Sequence, residues 1–342
     1  MRNRGRGWGQ GLQAVVAIVA ATALLVSCSG DDPDPSGNPD PSQSEGSQSQ
    51  SQPPDGPQTG TVTSLACWGD SLTAGSGGDG TTYPDVLAEL TGLDVFNGGV
   101  PGERSAGIAA REGGRPAETT VVGGSIPAEG GVEVKFGGDV VIIRDEGTLD
   151  GTLMDVHGVL TKDQTRVKGA YTFTRDEAGD PVEVPDGTPF ITDIGEANRD
   201  AGTIIWAGHN DIRLGGGQEL LDNIATMVDY VEDGGNYLVL GLSNGTGAEK
   251  GTPFYQEGVE FVNPALEEAY GPDHYLDVRR WLIDEGLDAA GIEATDQDET
   301  DIANDVPPTS LRDPSAQGHL NAEGYRVLAE YIRDFIAEQG WI

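Results

Sequence analysis

Basic residues are scarce in this sequence. Four lysines and sixteen arginines stand against 57 acidic residues, for a formal net charge of −37 at pH 7. A surface that negative repels nucleic acid and anionic lipid head groups, which argues against both as targets. It favours a neutral or cationic substrate, or a salty medium. Cysteine is nearly absent: Cys28 and Cys67 are the two, and they sit in stretches too different in kind to read as a disulfide. No Cys/His set has zinc spacing, there is no Gly-x4-Gly-Lys phosphate loop, and no repeat of fixed period is evident. Nothing in the pattern calls for a cofactor. The apolar stretch from Ala14 to Val26, broken by Thr22, is shorter than the ~20 residues that span a bilayer.

That stretch follows Arg2, Arg4 and Arg6, so residues 1–27 read as a targeting segment. It ends on Leu25, Val26, Ser27 and Cys28, which resemble the lipobox of bacterial lipoproteins. The resemblance implies that the Cys28 thiol is lipidated and becomes the mature N-terminus. An ordinary signal peptide with a chance cysteine is the alternative. Residues 28–60 hold Ser, Pro, Gln, Asp and Gly with no aliphatic or aromatic residue after Cys28. Such a segment buries nothing and is expected to stay disordered, as a tether between a lipid anchor and a folded domain. Removing residues 1–27 leaves 17 basic against 57 acidic residues. The folded part, residues 61–342, is then expected outside the cytoplasm, held to the cell membrane, with Cys67 buried in its first strand.

From Thr61 the pattern changes. "TVTSLACWG" reads as a buried strand and "TTYPDVLAEL" as a helix with Pro84 in its first turn. "LDVFNGG", "GTIIWAGHND" and "NYLVLGLSN" read as further strands, and "HYLDVRRWL" as a strand passing into a helix. "QELLDNIATMVDYVEDGG" is amphipathic, with Gly234 as its stop, and "NAEGYRVLAEYIRDFIAEQ" is the closing helix. Apolar strands alternating with helices mean a parallel sheet covered on both faces, which binds ligands beyond the carboxyl ends of its strands. From about Ile108 to Gly195 the rhythm breaks. Glycines and short runs such as "GGVEVKF", "DVVIIRD", "TLMDVHGVLT" and "RVKGAYTFTR" suggest a β-rich insertion there.

Three strand-end segments, "CWGDSLT", "NGGVPGERS" and "AGHND", converge on one sheet edge. Nucleophilic serine catalysis needs a serine, a base within reach, an orienting group and oxyanion donors. Ser71 follows a buried strand at an expected strand-to-helix turn, where a helix N-terminus would lend amides to an oxyanion. On this segment alone a helix cap, at Ser71 or with Thr73 or Asp70, serves equally well.

"GDSLTAG" resembles the first block of the SGNH hydrolases, the GDSL-type esterases and lipases. "NGGVPGERS", "GHND" and "GHLNAEGY" resemble the later blocks, in order. The resemblance covers about residues 65–102 and 203–331. It implies an α/β fold, a three-layer flavodoxin-like sandwich around a central parallel sheet; the β-rich subdomain inserted at about 108–195, read from the residues above, lies outside the resemblance. It implies Ser71 as nucleophile and His319 as base. The Ser71 N–H, the Gly102 N–H and the Asn210 side chain would form the oxyanion hole. One departure stands out. The family's acid lies three residues before the histidine, and here that position is Ala316. Asp313, six before, would serve through a longer loop. Otherwise a backbone carbonyl orients His319 and the enzyme works as a Ser–His dyad.

The expected activity is hydrolysis of a carboxylic ester without cofactor or metal. An O-acyl group on a glycan comes first as substrate, a lipid or short-chain ester next. The rival is a surface-binding lipoprotein on the same scaffold with degraded catalysis, suggested by Ala316. Other features carry less. "GLSNG" around Ser243 matches a nucleophile elbow, but "TGAEKGTP" is a poor helix start after it, so Ser243 reads as rim loop. His209 is expected to line the pocket, and His157 and His274 to be structural or surface residues. The carboxylate run Asp296–Asp305 reads as a solvated acidic loop rather than a calcium site.

Overall fold

The computed structural model describes residues 60–138, 140–162, 171–231, 235–316 and 318–342. Cys28, the targeting segment, nearly all of the tether and Gly234 lie outside the described residues. Five parallel strands form the central sheet: β1 (Ser64–Gly69), β2 (Asp94–Gly99), β3 (Gly202–Trp206), β4 (Tyr237–Leu240) and β5 (Tyr275–Leu276). Their spatial order is β2-β1-β3-β4-β5, the flavodoxin-like order of a doubly wound sheet, whose chain reversal lies between β1 and β3. Cys67 of β1 pairs with Asn97 on one side and Ile204 on the other.

Strand side chains alternate in direction, so each strand feeds two cores. Leu65, Cys67, Ile204, Trp206, Leu238 and Leu240 face helices Tyr83–Thr91 and Ala322–Glu338, packing on Leu87, Leu328 and Ile332. Ala66, Trp68, Ile205 and Val239 face helices Ser105–Glu112 and Gly217–Val231, packing on Ile108, Leu220, Ile224 and Met227. This double burial is why the strands read as continuous apolar runs rather than alternating ones. Cys67 is fully buried and free, and burial pushes its thiol up to about 12. It is a neutral core residue at physiological pH.

The glycine-rich stretch after β2 is not β throughout. It begins with helix Ser105–Glu112, which covers the parallel sheet. Six strands between Ala117 and Thr192 then close into a barrel with its own core, including Val134, Leu160, Phe173 and Phe190. "TLMDVHGVLT" is a hairpin rather than one strand: Gly147–Leu153 pairs antiparallel with Val156–Lys162 around Met154, whose φ is 56°. The run expected at "DVVIIRD" is not a strand in its described residues; Ile143 and Arg144 run irregularly along the barrel's side. No helix of the described residues is long and apolar enough to cross a membrane.

Candidate active site

The chain leaves β1 at Gly69 and turns through residues 70–80 before helix Tyr83–Thr91 starts, capped by Thr82. The helix expected directly behind Ser71 is therefore displaced by a series of turns. The Ala74 N–H donates to the Asp70 carbonyl at 3.0 Å and the Ser76 N–H to the Ser71 carbonyl at 2.9 Å. Ser71 is no helix cap, and any oxyanion donor here is a turn amide rather than a helix terminus. The turn lies close over the next strand end: a Cβ on Gly99 would come within 2.2 Å of the Ala74 nitrogen. Glycine at that position is what allows the approach.

Ser71 and His319, 248 residues apart, meet in a cavity of about 230 Å³. The His319 Nε2 and Ser71 Oγ are 2.8 Å apart, and the His319 Nδ1 lies 3.3 Å from the Ala316 carbonyl oxygen. A carbonyl only accepts, so the proton sits on Nδ1 and Nε2 accepts from the Ser71 hydroxyl. Burial holds the His319 pKa below its ordinary value, with His209 and Arg213 adding to the effect and the Ala316 carbonyl and Asp70 opposing it. The imidazole is thereby kept neutral, the form a base requires.

Asp313 does not take the acid's place. Its Oδ1 accepts from the Ser315 N–H at 2.8 Å and the Ser315 hydroxyl at 2.9 Å, and these bonds hold its carboxyl below the usual range. Among the described residues, the group hydrogen-bonded to His319 Nδ1 is the Ala316 carbonyl. The three extra residues between Asp313 and His319 are spent folding a local turn around that carboxylate, so the backbone does the orienting.

The oxyanion turn is built from the end of β2. Gly102 has φ 74°, a conformation that favours glycine. The Asn210 Nδ2 donates to the Glu103 carbonyl at 2.8 Å, which ties "GHND" to this turn, and Asn210 lines the Ser71 cavity. Gly102 borders a neighbouring cavity. Among the described residues the Ser71 and Gly102 N–H groups make no hydrogen bond.

Several residues that support this geometry were not visible as motifs. Buried Glu103 pairs with Arg111, whose Nη2 also donates to the Gly98 carbonyl at 2.8 Å. Asp211 accepts from the Ser105 N–H at 3.0 Å and its hydroxyl at 2.7 Å, fixing the start of helix Ser105–Glu112. Burial raises the pKa of both Glu103 and Asp211, and Arg111 and Ser105 oppose it. Ser105 is 106 residues from Asp211, and Arg111 meets Glu103 only because the chain turns into helix Ser105–Glu112 between them, so no motif spacing marks either pair.

His209 lines the cavity, as expected, but with an additional contact. Its Nε2 accepts from the Ser243 N–H at 3.2 Å, which leaves the proton on Nδ1, 3.4 Å from the Oδ2 of buried Asp70. Ser243 lines the same cavity with its amide on His209 and its hydroxyl 3.5 Å from the Asn244 carbonyl. His157 lies exposed on the barrel between Asp176 and Asp193, whose hydrogen bonds push it up to about 8. His274 stacks on Tyr237.

The carboxylate run is not a solvated loop. Asp296–Ala303 is a helix with a Thr295/Asp298 capping box. Asp298 accepts from the Ser310 N–H, and buried Asp301 pairs with Arg312 at 2.6 Å. Two of its acids therefore brace the segment leading to His319. Among the described residues no group of three or more His, Cys, Asp or Glu side chains could hold a metal ion.

No protein-family model matches the chain, and no curated protein matches it. Among solved structures, one described as a candidate lipolytic protein of the G-D-S-L family, from Desulfitobacterium hafniense DCB-2, is similar at 14% identity and a TM-score of 0.44. The match covers 80% of this chain and 99% of that one.

Proposed function

We propose that this protein is a serine hydrolase of carboxylic esters, of the SGNH type, working with a Ser71–His319 dyad. The observation that carries the reading is the 2.8 Å contact between Ser71 Oγ and a histidine whose other nitrogen is engaged by a carbonyl. Ser71 Oγ attacks the ester carbonyl carbon while His319 Nε2 takes its proton. The carbonyl oxygen becomes an oxyanion held by the Ser71 and Gly102 N–H groups and the second Nδ2 hydrogen of Asn210. Collapse expels the alcohol, which His319 protonates. Water then attacks the acyl-Ser71 ester with His319 again as base, releasing the acid and free serine. The Ala316 carbonyl holds the imidazole in the required tautomer, the role a carboxylate fills in a triad, but gives the imidazolium less charge stabilisation.

The substrate proposed first is an O-acyl group on a glycan, and a lipid or short-chain ester next. The chain is proposed to act outside the cytoplasm, held to the membrane through lipidated Cys28 and the tether. The test is hydrolysis of acylated sugars, nitrophenyl esters and thioesters by the full-length protein, with Ser71→Ala as blank. A fluorophosphonate should label the wild type and spare Ser71→Ala. Equal labelling of both proteins overturns the assignment.

A further inference from the structure

Beside the oxyanion turn lies a second cavity, of about 240 Å³, lined by Gly102 and Arg104 and by Val141, Arg144, Asp145 and Lys162 of the segment that joins and forms the barrel. In a chain with so few basic residues, three meet here. Arg144 lies directly on the turn. Its Nη1 donates to the Gly102 carbonyl, and a Cβ at Gly102 would sit 2.4 Å from its Cζ. The guanidinium therefore occupies the space a side chain at Gly102 would need. The backbone beneath it is held by Lys162, whose Nζ donates to the Ile143 carbonyl at 2.8 Å and the Arg144 carbonyl at 2.6 Å.

The charges around the cavity are unequally engaged. Arg104 is 3.5 Å from Glu219 and 3.9 Å from Asp211. Glu103 also borders the cavity, with its carboxylate taken by Arg111. Arg144 has five N–H donors, and among the described residues its hydrogen bond is the one to Gly102. A planar fork of donors with a single backbone partner suits bidentate recognition of an oxyanion group.

We propose that this cavity is a subsite for a carboxylate or phosphate group carried by the ester substrate, with Arg144 as the residue that recognises it. The proposal rests on the ester-hydrolase reading and names the substrate class: an ester that bears a second, anionic group. An ester oxygen held at the Gly102 N–H would place the rest of the molecule beside the turn that Arg144 covers. The negative charge of the whole chain does not preclude this. Exposed charges are largely screened beyond about 8 Å at physiological ionic strength, whereas a guanidinium–oxyanion pair acts in contact.

The test compares matched esters on the full-length protein. 4-Nitrophenyl hemisuccinate and its methyl-capped isostere place the anion on the acyl side. 4-Acetoxybenzoate and its methyl ester place it on the alcohol side. The expected result is that at least one anionic ester exceeds its neutral partner by about tenfold or more in kcat/KM. Arg144→Gln should then lower the anionic rate about 10- to 100-fold, the scale of a lost charge-assisted bond. Any loss on the neutral partner, transmitted through the Gly102 turn, should be at least about tenfold smaller than the loss on the anionic ester, and Arg144→Lys should recover part of the latter. Glutarate and inorganic phosphate as inhibitors of neutral-ester hydrolysis separate the two anion types. Equal loss on both members of each pair, or no anion preference, overturns the proposal and leaves Arg144 as a brace of the turn. If no ester is hydrolysed above the Ser71→Ala blank, the hydrolase reading fails instead. Calorimetric binding of glutarate and phosphate to Ser71→Ala then decides the subsite alone: Arg144-dependent binding upholds it, and its absence removes it.

Discussion

Asp313 and His319 are joined by their backbones and not by their side chains. The Asp313 N–H donates to the His319 carbonyl at 3.0 Å, while the Asp313 carboxylate turns to Ser315. Removing a true triad acid costs about 10⁴ in kcat, by analogy with serine proteases. Asp313→Asn is expected to cost only a few-fold here, because the Ala316 carbonyl already engages Nδ1. Steady-state kinetics on one nitrophenyl ester decide it, and a loss above about 10³ would return Asp313 to the triad.

Asn210 should behave differently. One hydrogen of its Nδ2 is spent on the Glu103 carbonyl, and the other is available to an oxyanion. Asn210→Ala should lower kcat by about 10²–10³, the usual cost of one oxyanion donor. Thermal melting should show the fold intact, which separates lost catalysis from lost structure.

The base must be neutral to accept the serine proton. Burial lowers the His319 pKa from an ordinary value of 6.5. The acid limb of kcat/KM should therefore have its midpoint below 6.5, with activity rising as pH increases through it. A midpoint above 7 would mean that the imidazolium is stabilised by a carboxylate after all.

Arg312 and Asp301 are both buried, and Arg312 also donates to the Pro307 carbonyl and the Thr246 hydroxyl. Thr246 lines the Ser71 cavity. Breaking a buried ion pair by removing one partner typically costs about 3–5 kcal/mol. Arg312→Ala should lose that much stability in urea unfolding. Arg312→Lys should recover little of it, since the three acceptors are reached by three different nitrogens of the guanidinium fork and a single ammonium nitrogen lacks that spread.

Glu112 is buried at the end of helix Ser105–Glu112, accepts from the Gly114 N–H at 2.8 Å, and is pushed by burial up to about 8. Between its ordinary value of 4.5 and 8 the unfolded chain loses the proton that the folded chain keeps. The contribution of Glu112 to stability thus falls as pH rises across that window. Glu112→Gln should raise the melting temperature relative to wild type by several degrees at pH 8, at ~2–4 °C per kcal/mol. At pH 4 the difference should vanish. A pH-independent difference would show that Glu112 is ionised in the fold.

Much of the scaffold was readable from local pattern. Leu65 to Trp68 and Ile204 to Ala207 are continuous apolar runs because both faces of the sheet are covered. Leu220, Ile224, Met227 and Val231 follow helical spacing because one face meets the core. Ser71, Gly102 and Asn210 were legible as types at strand ends, and His319 as one just before the closing helix. The choice between Asp313 and a backbone carbonyl stayed open in the sequence because the nearest competitor for the Asp313 carboxylate, the Ser315 amide two residues away, is a local hydrogen bond that spacing does not reveal. The Asp296–Asp305 run was misread for the converse reason: two of its carboxylates, Asp298 and Asp301, are bound by Ser310 and Arg312 from another element.

By itself the sequence determined the alternation of strands and helices, the burial of Cys67 and the residue types at each strand end. Each follows from side-chain periodicity and turn chemistry within a few neighbours. The tertiary structure alone decided that Ala316 rather than Asp313 faces His319, that six strands close into a barrel, and that Arg144 rests on Gly102. The first depends on neighbouring groups competing for one carboxylate, and the other two on groups distant in sequence meeting. The winner is set by distance and burial, which appear only when the chain is packed.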